Sequence, residues 1–207
     1  MGSRSGPLAF LRPFLAPLFA WAAAAGGRGT VALPWSVKFI LTFLARELDG
    51  GGGTTRVQAA EQYLGEAFRT DAKAEGKVVT IGGWECRGGG GTREARWFSA
   101  ELTKENAPWA FSRGEPFRTI AALELYATLV AVTVFTRDGP GINQKGKIKI
   151  SGATDNLGNS FILPRLMSSK FPLVVVLAEL AVQLRGMGLG VGLGMDAPRP
   201  NTNKHMH

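Results

Sequence analysis

Apolar and polar positions change period along this chain, and the changes mark out its elements. From Pro34 to Leu48 (PWSVKFILTFLAREL) the apolar residues Val37, Ile40, Leu41 and Leu44 recur at helical spacing, with a proline near the start where its missing N–H is tolerated. Beyond residue 60 the spacing shortens. Tyr63 to Thr70, Lys77 to Cys86 and Glu94 to Leu102 are rich in Val, Ile, Phe, Trp and Thr, and predict three strands joined by turns at Ala74 to Gly76 and Gly88 to Thr92. Such short links imply an antiparallel meander. Pro116 to Phe135 then reads as a long apolar helix with Ile120, Leu123, Ala127 and Val130 on one face. In Lys147 to Ala153, Lys147 and Lys149 alternate with Ile148 and Ile150, the pattern of a half-buried strand. Asn159 to Met167 and Pro172 to Arg185 predict helices, and Val191 to Met195 a last strand weakened by glycine. Three strands, a helix, a strand, helices and a final strand make an α/β chain: a central sheet with flanking helices.

Glycine clusters at Gly50 to Gly53, Gly88 to Gly91 and Gly186 to Gly194 punctuate this order. The first separates a segment of residues 1–56, too small to fold alone, from residues 57–207. Met1 to Ala25 imitates a secretory signal, with a basic start, an apolar stretch and small residues at Ala22 to Ala25. Arg12, Pro13 and Pro17 interrupt the apolar run, so a membrane-spanning helix is not expected there and secretion is the minority reading.

Composition narrows the chemistry. The 207 residues contain one cysteine and two histidines, His205 and His207, both at the C-terminal end. That excludes an intramolecular disulfide and a zinc site built from Cys and His, and no Ser–His–Asp or Cys–His pair is plausible. The alternating glycines of Gly188 to Gly194 are followed by Pro198 and Pro200 rather than a helix, so they do not form a phosphate loop. The net charge of +8 is divided evenly between residues 1–56 and 57–207, and favours a polyanionic partner. Arg137, Lys145, Lys147, Lys149, Arg165 and Lys170 form one local basic concentration, equally readable as a solvated surface or a nucleic-acid-facing patch. Trp84, Trp97, Trp109, Phe111 and Phe117 are able to stack on bases, but core packing is expected for most of them.

Metal chemistry must therefore use carboxylates. Asp71 is expected to end the first strand and Asp155 the fourth. Glu124 interrupts the apolar run Ala121 to Tyr126, where an acid needs a cation or a proton. Were the first and fourth strands neighbours, these three acids would meet at one sheet end, and oxygen-only ligation suits Mg²⁺ or Mn²⁺.

FRTDAKAEGKVVTIGGWE (Phe68 to Glu85), TIAALELYATL (Thr119 to Leu129) and SGATDN (Ser151 to Asn156) resemble, in order and spacing, the three acidic motifs of type-1 ribonuclease H domains in retrotransposon reverse transcriptase polyproteins. Asp71, Gly82-Gly83, Glu124 and Thr154-Asp155 match that family's successive positions. The resemblance covers about residues 60 to 200. It implies a ribonuclease H-like fold with a central mixed five-stranded sheet, and hydrolysis of RNA in RNA–DNA hybrids. The ions would be Mg²⁺ or Mn²⁺, held by Asp71, Glu124 and Asp155 as catalytic ligands. It further implies hybrid contacts at Lys147, Lys149, Lys170 and Asn156, with Arg165, which follows the third motif, equally readable as a phosphate contact or a structural ion pair, and an intracellular setting, cytoplasmic or nuclear, without a membrane. Arg12 to Leu48 resembles the segment connecting a polymerase to its ribonuclease H domain. Its apolar residues are then expected to be partly exposed, having packed on a polymerase domain absent from this chain. The chain departs from the family at the fourth acid: Pro198-Arg199-Pro200-Asn201 begins the C-terminal motif, and Asn203-Lys204-His205 stands where its acidic end belongs. Neither Asp196 nor His205 is a clear substitute. The domain thus reads as C-terminally truncated, which leaves two alternatives, a hydrolase and a non-catalytic nucleic-acid or protein interaction module on the same fold.

Overall fold

The computed structural model describes residues 9–27, 29–49, 68–85, 95–136, 149–150, 167–186 and 192–193. It is a mixed α/β arrangement in which a three-stranded antiparallel sheet packs against helices. Two helices come first, α1 (Arg12–Ala25) and α2 (Trp35–Asp49). The sheet follows: β1 (Phe68–Glu75), β2 (Val78–Glu85) and β3 (Trp97–Leu102), paired in the order β1-β2-β3. Single 3₁₀ turns at Pro108–Phe111 and Pro116–Thr119 lead into α3 (Ile120–Thr136). Further on are α4 (Leu173–Gly186) and two short strands, β4 (Lys149–Ile150) and β5 (Gly192–Leu193), which pair in parallel as a separate ladder.

The meander is set by its first turn. Glu75 pairs with Val78 across Gly76 and Lys77, and Gly76 takes φ +57°, a left-handed conformation that costs glycine little. The turn therefore falls later than the expected Ala74 to Gly76, and β1 starts and ends five residues beyond the expected Tyr63 to Thr70. The sequence pattern misleads here because the actual strand, FRTDAKAE, is polar at every second position and poor in β-branched residues. Only its alternation betrays it, since Phe68, Thr70, Ala72 and Ala74 turn inward while Arg69, Asp71, Lys73 and Glu75 face solvent.

The inner face is covered by α3. Leu123 and Ala127 close over Val79, Ile81 and Leu102, while Leu125, Leu129 and Val132 meet Leu177, Leu180 and Leu184 of α4. Sandwiched between sheet and helix, α3 is apolar nearly all round. Pro116–Phe135 is consequently long and apolar enough to cross a membrane by composition, although Leu123, Leu125, Ala127, Ala131 and Val132 are buried here.

Both prolines that interrupt the N-terminal apolar run lie within α1. Pro13 lies in the first turn of α1, where a backbone N–H has no helical partner, and Pro17 is accommodated inside the helix. At 14 residues α1 is shorter than the roughly 20 that a bilayer requires. Phe10 and Leu11 pack on Ala181 of α4, and Phe14 meets Phe43 of α2 with ring centroids 4.4 Å apart. Val37 is buried, but Phe19, Trp35, Phe39 and Leu48 are exposed. Asn159 to Met167, expected as a helix, lies outside the described residues except for Met167, as does most of Lys147 to Ala153.

Candidate metal and nucleic-acid site

Asp71 stands near the middle of β1, not at its end. Alternation turns it to the outer face, away from α3, where it is exposed, and its Oδ1 accepts a 2.8 Å hydrogen bond from the N–H of Ala72. Across the sheet its partner is Gly82, whose missing side chain leaves bare backbone beside the carboxylate. Asp71, Lys73, Thr80, Gly82, Trp84 and Trp97 line an open concavity of about 370 Å³ on this outer face.

Glu124 sits on α3 and is half-buried. One turn later Thr128 donates its hydroxyl to the Glu124 carbonyl at 3.2 Å and meets the Thr70 hydroxyl at 3.2 Å. The helix stripe bearing Glu124 therefore lies across the strand bearing Asp71. The two acids belong to opposite sides of β1, so their carboxylates approach each other only around that strand's edge. Among the described residues, no strand pairs with this edge.

Asp155, Asn156, Lys147 and Arg165 lie outside the described residues. Lys149 is placed in β4, and Lys170 is exposed just before α4. Asp196 and His205 also fall outside. Among the described residues no three of His, Cys, Asp and Glu gather closely enough to hold a metal. The donors that are described, two carboxylates, have the hard oxygen chemistry that Mg²⁺ or Mn²⁺ takes.

Two features of this region escaped the pattern reading. Trp84 and Trp97, expected in the core, are exposed at 47% and 73% and face each other across β2 and β3. The signal was available: Trp84 shares its strand face with the polar Thr80 and the bare Gly82, not with Val79 and Ile81. Phe117 is likewise exposed, whereas Trp109 and Phe111 pack against the core as expected, Trp109 edge-on to Tyr126 at 5.3 Å.

The second feature is Arg96. Its guanidinium holds Glu85 in a bidentate pair at 2.9 and 3.1 Å and donates to the Phe135 carbonyl at 2.8 Å, at the C-terminal end of α3. That end carries unpaired carbonyls and the negative pole of the helix, so a cation there both satisfies and stabilises it. Nothing in the spacing of Arg96 and Phe135, which lie far apart in sequence, announces this.

Compared with protein-family models, curated proteins and solved structures, the chain matches none.

Proposed function

We propose that this chain is a ribonuclease H-like domain of a retroelement reverse transcriptase, hydrolysing the RNA strand of RNA–DNA hybrids. The observation that carries the reading is the order in which three antiparallel strands and a packed helix bear the acids. β1 carries Thr70-Asp71, β2 carries Gly82-Gly83, and α3 lays Glu124 along β1 through the Thr70–Thr128 contact. This reading requires a further strand beside the open edge of β1, whereas among the described residues the strand that includes Lys149 pairs with β5, and Asp155 lies outside the described residues.

Asp71, Glu124 and Asp155 would hold divalent cations, which supply an activated water and stabilise the leaving 3′ oxygen when bound. The chain's own residues do the rest. Asp71 and Glu124 provide fixed negative charge from two elements already packed together. Lys147, Lys149, Arg165 and Lys170 provide phosphate contacts, and Asn156 a polar one, with RNA distinguished by its 2′-hydroxyl. The exposed apolar side chains of α1 and α2 suit burial against a polymerase domain, and a hybrid substrate implies an intracellular site of action.

The test is cleavage of an end-labelled RNA–DNA hybrid in Mg²⁺ and in Mn²⁺, with Asp71→Asn and Asp155→Asn variants beside the wild type. Cleavage that both variants lose supports the proposal, and equal cleavage by wild type and variants overturns it. The replacement of the family's acidic C-terminal end by Asn203-Lys204-His205 favours a second reading, a binding module without hydrolysis. Hybrid binding with no cleavage in either metal selects that reading.

A further inference from the structure

We infer that the tip of the α1–α2 hairpin inserts into the surface of an anionic lipid bilayer. The hairpin is antiparallel: Phe14 near the start of α1 meets Phe43 late in α2, and Gly27 takes φ +80° just after α1 ends. Phe10 and Leu11 seat the base of α1 on Ala181 of α4, and the opposite end of the hairpin loses its cover. At that end Phe19, Ala22, Ala24, Leu33, Trp35 and Phe39 are all exposed, Trp35 at 78%. Trp35 and Phe39 stack on each other, with ring centroids 5.6 Å apart and planes 22° from parallel, as a single aromatic wedge. Apolar side chains gathered at one projecting end mark a contact surface rather than scattered exposure.

The charges of this segment select the occupant. Residues 1–46 carry Arg4, Arg12, Arg28, Lys38 and Arg46 and no aspartate or glutamate. Lys38 is exposed beside Phe39, and among the described residues neither it nor Arg46 pairs with a carboxylate. The first acids, Glu47 and Asp49, lie about 18 to 21 Å along the axis of α2 from Trp35. Glu179, the acid of α4, is two residues from Ala181 and so belongs to the base as well. A second copy of this chain would bring like charges together, and a nucleic acid would find neither ring nor polar group on Ala22, Ala24 and Leu33. An anionic bilayer satisfies both halves: its hydrocarbon boundary takes the aliphatic and aromatic side chains, and its headgroups take the cations. Tryptophan at this boundary is in its preferred place. The helices, 14 and 15 residues long, fall short of the roughly 20 that crossing requires, so the tip lies in the interface. Leu41 and Leu48 fall about half a turn round α2 from Phe39 and stay free to pack on a polymerase domain. The inference goes beyond the nuclease reading, which calls for no membrane, and does not rest on it.

Sedimentation of the full chain with lipid vesicles, in the presence of a chelator, tests the inference. Vesicles of phosphatidylcholine mixed with phosphatidylserine should carry the chain down, and phosphatidylcholine alone should carry less of it. Lys38→Gln is expected to weaken binding about 5-fold on the mixed vesicles and to leave it nearly unchanged on the neutral ones, the effect of one cation at an anionic surface. Trp35→Ala combined with Phe39→Ala should weaken binding about 10-fold or more on both, because two rings no longer leave water. Trp35→Phe should keep most of the affinity. Lipid brominated on its acyl chains should quench the tryptophan fluorescence of the wild type, and that of Trp35→Phe less. Thermal melting of each variant shows that the fold is intact, and hybrid cleavage enters none of these readings, so failure here is distinct from failure of the nuclease reading. No binding to the mixed vesicles, undiminished binding by a folded Trp35→Ala/Phe39→Ala variant, or binding without quenching overturns the inference. So does a lipid-free dimer that the same variant splits, which assigns the tip to a second copy, or preferential binding of a single-stranded oligonucleotide that the variant loses.

Discussion

The hydroxyls of Thr70 on β1 and Thr128 on α3 meet at 3.2 Å. Because Thr128 also donates to the Glu124 carbonyl, the consistent arrangement has Thr70 donating to Thr128. One contact thus fixes the strand residue next to Asp71 against the helix turn that carries Glu124. Thr128→Val keeps the shape and removes the acceptor, leaving a half-buried hydroxyl on Thr70 without it. A loss of about 1 kcal/mol in urea-induced unfolding is expected. If the two acids work together, hybrid cleavage should fall by more than stability alone explains, because the spacing between strand and helix is what has been loosened. Equal stability of Thr128→Val and wild type would show that the contact contributes nothing.

Gly82 and Gly83 are adjacent and opposite in consequence. A Cβ on Gly83 would point inward and lie 2.7 Å from a ring carbon of Phe98 and 2.9 Å from both the Arg69 carbonyl and the Thr70 methyl. The carbonyl belongs to the ladder and cannot withdraw. Gly83→Ala should therefore cost about 1–3 kcal/mol as an overpacked site, whereas Gly82→Ala, whose Cβ would meet only the Phe98 carbonyl at 3.4 Å, should stay within about 0.5 kcal/mol of wild type. A denaturation series on the two variants checks this, and a reversed order would mean that the two strand faces have been exchanged.

Arg96 joins three elements by one side chain: Glu85 at the end of β2, its own position leading into β3, and the last turn of α3. The Glu85 carboxylate is 9% exposed, so losing the bidentate Arg96 pair removes a charge-assisted contact from a nearly buried site, while the guanidinium also lies 5.5 Å from the centre of the Phe135 ring. Arg96→Met is expected to lower stability by about 2–4 kcal/mol. Arg96→Lys should recover only part of that, since an ammonium cannot make the bidentate pair and reach the Phe135 carbonyl together. Full rescue by lysine, measured by thermal or urea melting, would reduce the cluster to a simple charge pair.

The parts of this fold that were legible in the sequence are those whose physics is local. The spacing of Ile120, Leu123, Ala127 and Val130 located α3, and Pro34 to Leu48 located α2 within a residue or two, because an apolar stripe on a helix repeats within a few residues. β2 was found from Val79, Ile81 and their neighbours. β1 was displaced because its outward residues, Arg69, Asp71, Lys73 and Glu75, dilute its strand character, and its inward Ala72 and Ala74 are poor strand formers on any propensity scale. Asp71 was consequently assigned to a strand end when it occupies the open face of a continuing strand. The side on which Trp84 lies follows from the alternation within β2, where it shares a face with Thr80 and Gly82. Arg96 was invisible for a different reason, since its partner carbonyl at Phe135 is brought near only by the packing of α3 on the sheet.

The N-terminal helices offer a separate test of how the chain is divided. Phe10 and Leu11 close over Ala181 of α4, and Ala181 is fully buried, while Leu177, Leu180 and Leu184 of the same helix face α3. The helix α4 therefore has two apolar sides, one for the sheet-bearing core and one for α1. Ala181→Asp places a carboxylate among Phe10, Leu11 and Leu44 with no cation described in that cluster, and burying it there costs several kcal/mol. Undocking α1 and α2 relieves that cost at the expense of few other contacts, because Trp35, Phe39 and Leu48 are already exposed. Limited proteolysis of Ala181→Asp should then remove residues 1–49 early and leave a resistant core with α3 and α4 still packed. Loss of the whole chain at one rate would instead mean that α1 and α2 fold as one cooperative unit with the sheet.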